Sequence, residues 1–257
     1  MDFLVKKEIF KSEDFFVFMP NSQRILSVNV ELNISPNDIL NVDEQKNIIY
    51  KNTLSFAKKG CANNILLWGA RGMGKSSLVK CIVKHINEIS KKKVKLIEFL
   101  NNGLDCLPDI VFDLSKINNN FIIFIDDITF SSTDKDFKLF KTLVDGSILS
   151  NIKNVKYYVT SNLRHLSLKE RESFKEDDLT KKEANTNIIS LSDRFGCWVG
   201  FYENNKENYL KIVDHYLKKA KNMNNDEISI KAVEWAIGKG NFSGRTAYQF
   251  VQNIITQ

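Results

Sequence analysis

Hydrophobic positions change their spacing along the chain so that strand-like and helix-like stretches alternate. After an aromatic cluster at Phe15, Phe16 and Phe18, apolar residues fall at every second position at Val28, Val30, Leu32 and Ile34. That is the period of a half-buried strand, so residues 1–35 read as an extension with one or two short strands. From Pro36 the spacing turns helical, with Ile48, Ile49, Thr53 and Phe56 on one face. A short apolar run, NILLW at 64–68, then enters a glycine-rich turn. Beyond it, Leu78, Val79, Ile82, Val83 and Ile86 mark the buried side of an amphipathic helix. The alternation continues with a strand at 94–100, a helix at 107–114, a fully apolar strand at 121–125, a helix at 137–149 and a strand at 155–160. A charged, irregular stretch at 169–187 separates these from a last strand at 197–201.

Strands alternating with helices predict an α/β fold with a largely parallel sheet. Past residue 203 only helical spacing remains, at about 206–221, 229–238 and 244–256, the last with Ala247, Phe250, Val251, Ile254 and Ile255 on one face. The expected organisation is therefore an extension at 1–35, an α/β core at 36–203 and a small all-helical C-terminal unit at 204–257.

Composition narrows the class without naming it. A chain of 257 residues, 43% hydrophobic and 26% charged, can bury a core without disulfides or metals. Apolar runs of about five residues are far short of the ~20 that a membrane helix needs, and MDFLVKKEIF does not resemble a secretory signal. The four cysteines, Cys61, Cys81, Cys106 and Cys197, are scattered, with no Cys-x-x-Cys pair. Together these predict a soluble protein of the reducing cytoplasm, with no membrane partner. The net charge of +6 comes from 31 Lys and only 6 Arg, beside 28 Asn. A Lys and Asn surplus of this kind follows from an AT-rich genome, so it is weak support for a nucleic-acid partner.

The candidate chemistry begins at Gly69-Ala70-Arg71-Gly72-Met73-Gly74-Lys75-Ser76, followed by Ser77, which fits G-x-x-x-x-G-K-[ST] at every position. Glycines let successive backbone N–H groups curl around a phosphate, while the next helix points its positive end at the same group. Lys75 adds a mobile cation for the outer phosphates, and the Ser76 hydroxyl can ligate Mg²⁺. The segment FIIFIDD supplies the second half of such a site, an apolar strand ending in acid. There Asp126 is the candidate Mg²⁺ partner, and Asp127 is placed to orient or deprotonate an attacking water. A loop carboxylate capping the next element is the alternative for Asp127. Four of the six arginines (Arg71, Arg164, Arg194 and Arg245) lie in or beside these motif-like segments, where a planar fork suits phosphate.

Together these motifs resemble the AAA+ ATPases of the P-loop NTPase class. The phosphate loop (Walker A), the acidic strand (Walker B), TSN after the next strand, SDRFG and Ser243-Gly244-Arg245 carry the likeness. The strings ANNILLWGARGMGKSSLVK, DDITF, TSNLRHL, SLSDRFGCW and SGRTAYQF are similar to one bacterial AAA+ family of predicted ATPases with no assigned cellular function. The resemblance implies a three-layer core with a helical lid, and ATP and Mg²⁺ as ligands. It also implies a homo-oligomeric ring or filament. Position by position, Asn162 looks like the sensor-1 residue that meets the γ-phosphate or lytic water. Arg194 is similar to an arginine finger reaching a neighbouring subunit's nucleotide, and Arg245 looks like sensor 2. A salt bridge beside Asp193 is the alternative for Arg194, and a helix-start surface charge for Arg245. Met73 stands where family members often carry Thr. Ser131-Ser132 and Asn187-Ile188-Ile189 replace acidic positions, departures that bear on turnover more than on ATP binding.

Three functions fit these residues. The first is an ATPase whose cycle rearranges subunits of an oligomer. The second is an ATP-gated module acting as a loader or adaptor on DNA or a helicase. A protein-unfolding motor ranks last, because the loop at 101–107 (NNGLDCL) has no aromatic residue to grip a client.

Overall fold

The computed structural model describes residues 5, 7–128, 149, 152–162, 195–220 and 226–256. Seven strands are described: β1 (Phe15–Met19), β2 (Arg24–Ser27), β3 (Ile65–Gly69), β4 (Val94–Phe99), β5 (Asn120–Ile125), β6 (Val155–Thr160) and β7 (Cys197–Phe201). The helices are α1 (Asp43–Lys59), α2 (Lys75–Ile89), α3 (Leu107–Ser115), α4 (Lys206–Lys219), α5 (Asp226–Lys239) and α6 (Gly244–Ile255). The strands form one sheet in the order β2-β1-β4-β5-β6-β3-β7. All neighbours run parallel except the β1–β2 hairpin.

Strand sequences dictate the layering. A strand covered on both sides reads as a continuous apolar run, with alternate residues feeding opposite cores. On β5, Phe121, Ile123 and Ile125 enter one core with α3, while Ile122 and Phe124 enter the other with α1 and α2. Helices therefore cover both faces of the sheet, an α/β sandwich of three layers. Helices α4, α5 and α6 close around a separate core of Tyr209, Ile212, Val213, Leu217, Ala232, Ala236, Ala247, Phe250 and Val251. No helix among the described residues is long and apolar enough to cross a membrane. The predicted helix at 137–149 and irregular stretch at 169–187 lie outside the described residues, apart from Leu149.

One expectation is corrected. The strands of the N-terminal region are the aromatic cluster itself and Arg24–Ser27, whereas the alternating stretch at 28–34 is not a strand. Its side chains alternate between half-buried and exposed, with Val30, Leu32 and Ile34 packed against the core shared by α1 and α2. Period-two spacing reports an extended backbone with one buried face. It does not require a neighbouring strand, and here a helical layer takes that place. The segment after β4 forms a 3₁₀ turn (Asn101–Cys106) leading into α3. At Gly103 a Cβ would lie 2.9 Å from Pro20 and 3.0 Å from Phe18, so the N-terminal hairpin packs directly on this turn.

Candidate nucleotide site

The C-terminal ends of β3, β5 and β6, the start of α2 and the N-terminus of α6 converge on one cleft of about 450 Å³. Ligands of parallel α/β sheets bind at this edge, where strands end and helices begin.

The loop between β3 and α2 is shaped by its glycines. Gly72 and Gly74 have φ of +73° and +87°, left-handed values that other residues adopt at a cost. The Leu78 N–H donates to Gly74 O at 2.8 Å. Among the described residues, the N–H groups from Gly72 to Ser77 have no backbone acceptor. Free donors at a helix start are what an anion needs.

Lys75 is buried at the cleft base. Its Nζ donates to Gly69 O and Ala70 O at 2.8 Å each and to Asn162 Oδ1 at 3.0 Å. Burial pulls its pKa down to about 8, against the opposing pull of Asp127 and Asp126. The group is thus still mostly an ammonium at neutral pH.

The acidic pair sits opposite. Asp126 Oδ1 accepts from Ser76 Oγ at 2.6 Å and from Thr160 Oγ1 at 2.5 Å. Asp127 has a φ of +56°, its N–H donates to Thr160 Oγ1 at 2.8 Å, and its Oδ1 accepts a short bond from Asn162 Nδ2. Asn162 therefore spends its amide twice, accepting from Lys75 and donating to Asp127. The bonds form one continuous chain from the phosphate loop through Lys75, Asn162, Asp127, Thr160 and Asp126 to Ser76. Two oxygens from Ser76 and Asp126 fit Mg²⁺, which favours one or two protein ligands and fills its remaining positions with water and phosphate.

Helix α6 reaches the loop from the far side. Its N-terminal residue pair docks where the Arg245 N–H donates to Gly72 O at 3.1 Å, and Ser243 caps the helix by accepting from the Thr246 N–H. The Ser243 side chain lies so close to Gly72 that a Cβ there would meet its Oγ at 2.5 Å. Arg71, Met73, Ser77 and Arg245 all line the cleft. Arg194 lies outside the described residues, as do Arg164 and His165.

Several lining residues were not singled out by sequence. Ile34, Ile39 and Leu40 from the N-terminal segment and Ile212, Tyr216 and Tyr248 from the helical unit give the cleft its apolar side. Asp38 is held by Lys219 Nζ at 2.7 Å, His215 Nε2 at 3.0 Å and the Ser35 N–H at 2.7 Å. Burial alone would raise its pKa, but those bonds outweigh it and hold the carboxyl well below the usual carboxylate range. The Ser35-Pro36-Asn37-Asp38 spacing was a readable signal, since S-x-x-D marks a capping box, here formed at a single 3₁₀ turn. Thr160, a hydroxyl ending a mostly buried strand two residues before Asn162, was another.

Several solved structures share this architecture. One is the Holliday junction branch migration motor RuvB of Thermotoga maritima, 13% identical with a TM-score of 0.55 over 87% of this chain and 65% of that one. A variant of the same RuvB is 14% identical with a TM-score of 0.58, at the same coverage of 87% and 65%. The ORC1 protein of Aeropyrum pernix, in complex with DNA, is 13% identical with a TM-score of 0.58 over 86% and 64%. The chain thus spans just under two thirds of the length of these proteins. Among curated proteins none matches it in sequence. The phosphate loop, the sheet order and these likenesses together define the chain as one with the AAA+ fold. It belongs to the family described as "Protein of unknown function (DUF815)", whose model matches residues 11–257.

Proposed function

We propose that the protein is an ATPase that binds ATP–Mg²⁺ in this cleft and hydrolyses it to rearrange the subunits of a homo-oligomer. The observation that carries the reading is the unbroken chain of bonds joining Lys75, Asn162, Asp127, Thr160, Asp126 and Ser76 at the base of a cleft with free backbone donors. In this reading residues 69–77 hold the phosphates, with the loop N–H groups and Lys75 meeting the charge that develops on the transferred group. Ser76 and Asp126 would hold Mg²⁺, which would supply charge neutralisation at the outer phosphates. Asp127 orients the attacking water and takes its proton. Asn162 shifts from its bond with Asp127 to the γ-phosphate or the water. Arg245, at the start of α6, links that phosphate to the helical lid (204–257), which closes over the core (36–203). Arg194 acts in trans on the neighbouring subunit's nucleotide.

Steady-state hydrolysis measured against protein concentration tests this. Specific activity should rise as the chain assembles. Lys75→Ala should abolish ATP binding and turnover together. Arg194→Ala should lose turnover, by the ~10³–10⁵-fold that such fingers contribute, while keeping ATP affinity nearly intact. Undiminished activity in Arg194→Ala sinks the trans assignment. Tight binding with negligible turnover at every concentration would instead support the second reading, an ATP-gated loader or adaptor on DNA or a helicase. That reading draws on the likeness to RuvB, a Holliday junction branch migration motor, and to ORC1 in complex with DNA and on the basic balance. It requires ATP-dependent DNA binding that weakens steeply with salt, and none at ~50 mM salt would count against it.

A further inference from the structure

Thr160 is the last residue of β6 and is 2% exposed. Strand register puts it beside the acidic turn: Ile125 stands opposite Val159, so the next step of the parallel ladder sets Thr160 against Asp126. From there it touches all three residues of the turn. Its Oγ1 donates to Asp126 Oδ1 at 2.5 Å and accepts the Asp127 N–H at 2.8 Å, and its carbonyl accepts the Ile128 N–H at 2.9 Å. A hydroxyl has one proton to give. The relay therefore has a direction, from the Asp127 N–H through Thr160 Oγ1 to Asp126 Oδ1.

We propose that Thr160 is a positioning residue of the nucleotide site, whose hydroxyl fixes Asp126 and Asp127 relative to each other. The proposal rests on the ATP–Mg²⁺ reading above. Two observations make the hydroxyl more than packing. First, Asp126 Oδ1 is held by two hydroxyls, Ser76 and Thr160. Ser76 is the one assigned to the metal, which leaves Thr160 as the donor dedicated to aiming the carboxylate. Second, the left-handed backbone of Asp127 at φ +56° is a conformation that persists only when its surroundings hold it. Thr160 holds it from the N–H side. A β-branched side chain suits the task, because its χ1 is already restricted before any ligand arrives.

The test compares Thr160→Val, which keeps the branched shape and removes the hydroxyl, with Thr160→Ser, which keeps the hydroxyl. Three measurements are made on the full chain: Mg²⁺ titration of fluorescent ATP-analogue binding with an EDTA arm, steady-state kcat and KM, and thermal melting. Removing an outer partner of a metal-binding carboxylate costs ~10–100-fold in affinity or activity. Thr160→Val should therefore need ~10–100-fold more Mg²⁺ for half-maximal binding and lose kcat by a similar factor. KM and binding in EDTA should move less than about threefold. Thr160→Ser should recover most of the loss. An unchanged Mg²⁺ requirement in Thr160→Val overturns the proposal. So does a Thr160→Ser variant as impaired as Thr160→Val with a matching fall in melting temperature, the signature of packing alone. Where the protein binds the analogue without turnover, the Mg²⁺ titration decides by the same criteria. A failure of the unmodified chain to bind the analogue at all overturns the ATP reading, and this inference with it.

Discussion

Gly69 shows how little room the phosphate loop leaves. Its φ is +116°, and a Cβ built on it would lie 2.1 Å from Phe201 O, the carbonyl that accepts the Ala70 N–H at 2.9 Å. A side chain there must push β3 away from β7, and backbone does not yield as a flexible side chain does. Overpacking and torsional strain together put the cost of Gly69→Ala at about 3 kcal/mol or more. At roughly 2–4 °C per kcal/mol for a chain this size, the melting temperature should fall by about 6–12 °C. Gly60→Ala is the matched control, because φ is +70° there but nothing lies within 4 Å. It should cost only the left-handed penalty, about 1–2 kcal/mol. Equal losses in the two melts would mean that the β3–β7 clash relaxes, and the loop is less rigid than argued.

Between elements, one contact that joins the segment before α1 to the helical unit is Asp38 with His215 and Lys219 of α4. Its depressed pKa fixes the sign of a pH effect. A carboxylate stabilised in the fold contributes stability above its unfolded pKa, near 3.8, and loses it as pH falls through the lower folded value. Asp38→Asn should therefore lower stability at pH 7 by about 1–3 kcal/mol, by removing the buried charged acceptor that the partly exposed His215 and Lys219 share. It should also flatten the acid limb of the melting curve below about pH 4. An acid limb as steep as in the unmodified chain would show that other carboxylates govern it.

The same contact shows what sequence can and cannot reveal. Periodic elements such as α2 and β5 were legible because local spacing dictates them, and residues 69–76 because one phosphate needs contiguous donors. The meeting of Asp38, Thr160, Tyr216 and Tyr248 in one cleft was not, although the capping box at Asp38 and the hydroxyl of Thr160 were visible locally, because folding brings these residues together from segments far apart in the chain. The stretch at 28–34 misled for a different reason. An extended strap across helices and a paired strand leave the same alternation in sequence.

For the whole molecule, the question is whether the N-terminal region is an appendage or part of the sheet. β1 lies between β2 and β4, so removing it opens the edge of β4. Phe16 and Phe18 are 1% exposed and Phe10 is 2% exposed. Phe10 packs edge-on against Phe16 and Phe121, with centroids 4.8 and 4.9 Å away, and Phe18 stacks on Phe99 at 4.9 Å. Lys95, buried on β4, donates to Asp14 Oδ1 at 2.8 Å and to Glu13 O at 2.6 Å. A chain beginning at residue 36 would strand that ammonium without its carboxylate and uncover Phe99 and Phe121. At about 1.5–3 kcal/mol per buried aromatic side chain, three phenylalanines contribute roughly 5–9 kcal/mol. That is comparable to the whole net stability of a typical domain, about 5–15 kcal/mol. The truncated chain should therefore aggregate, or melt far below the full chain when followed by circular dichroism. If it instead melts within about 3 °C of the full chain, a shift worth about 1 kcal/mol, the hairpin is an addition to a sheet that is stable without it. Cooperative loss in the truncated chain would make the hairpin part of the same folding unit as the cleft. Residues 28–40 run directly from that hairpin to Ile34, Asp38 and Ile39 at the cleft wall, so the unit would be continuous in chain as well as in packing.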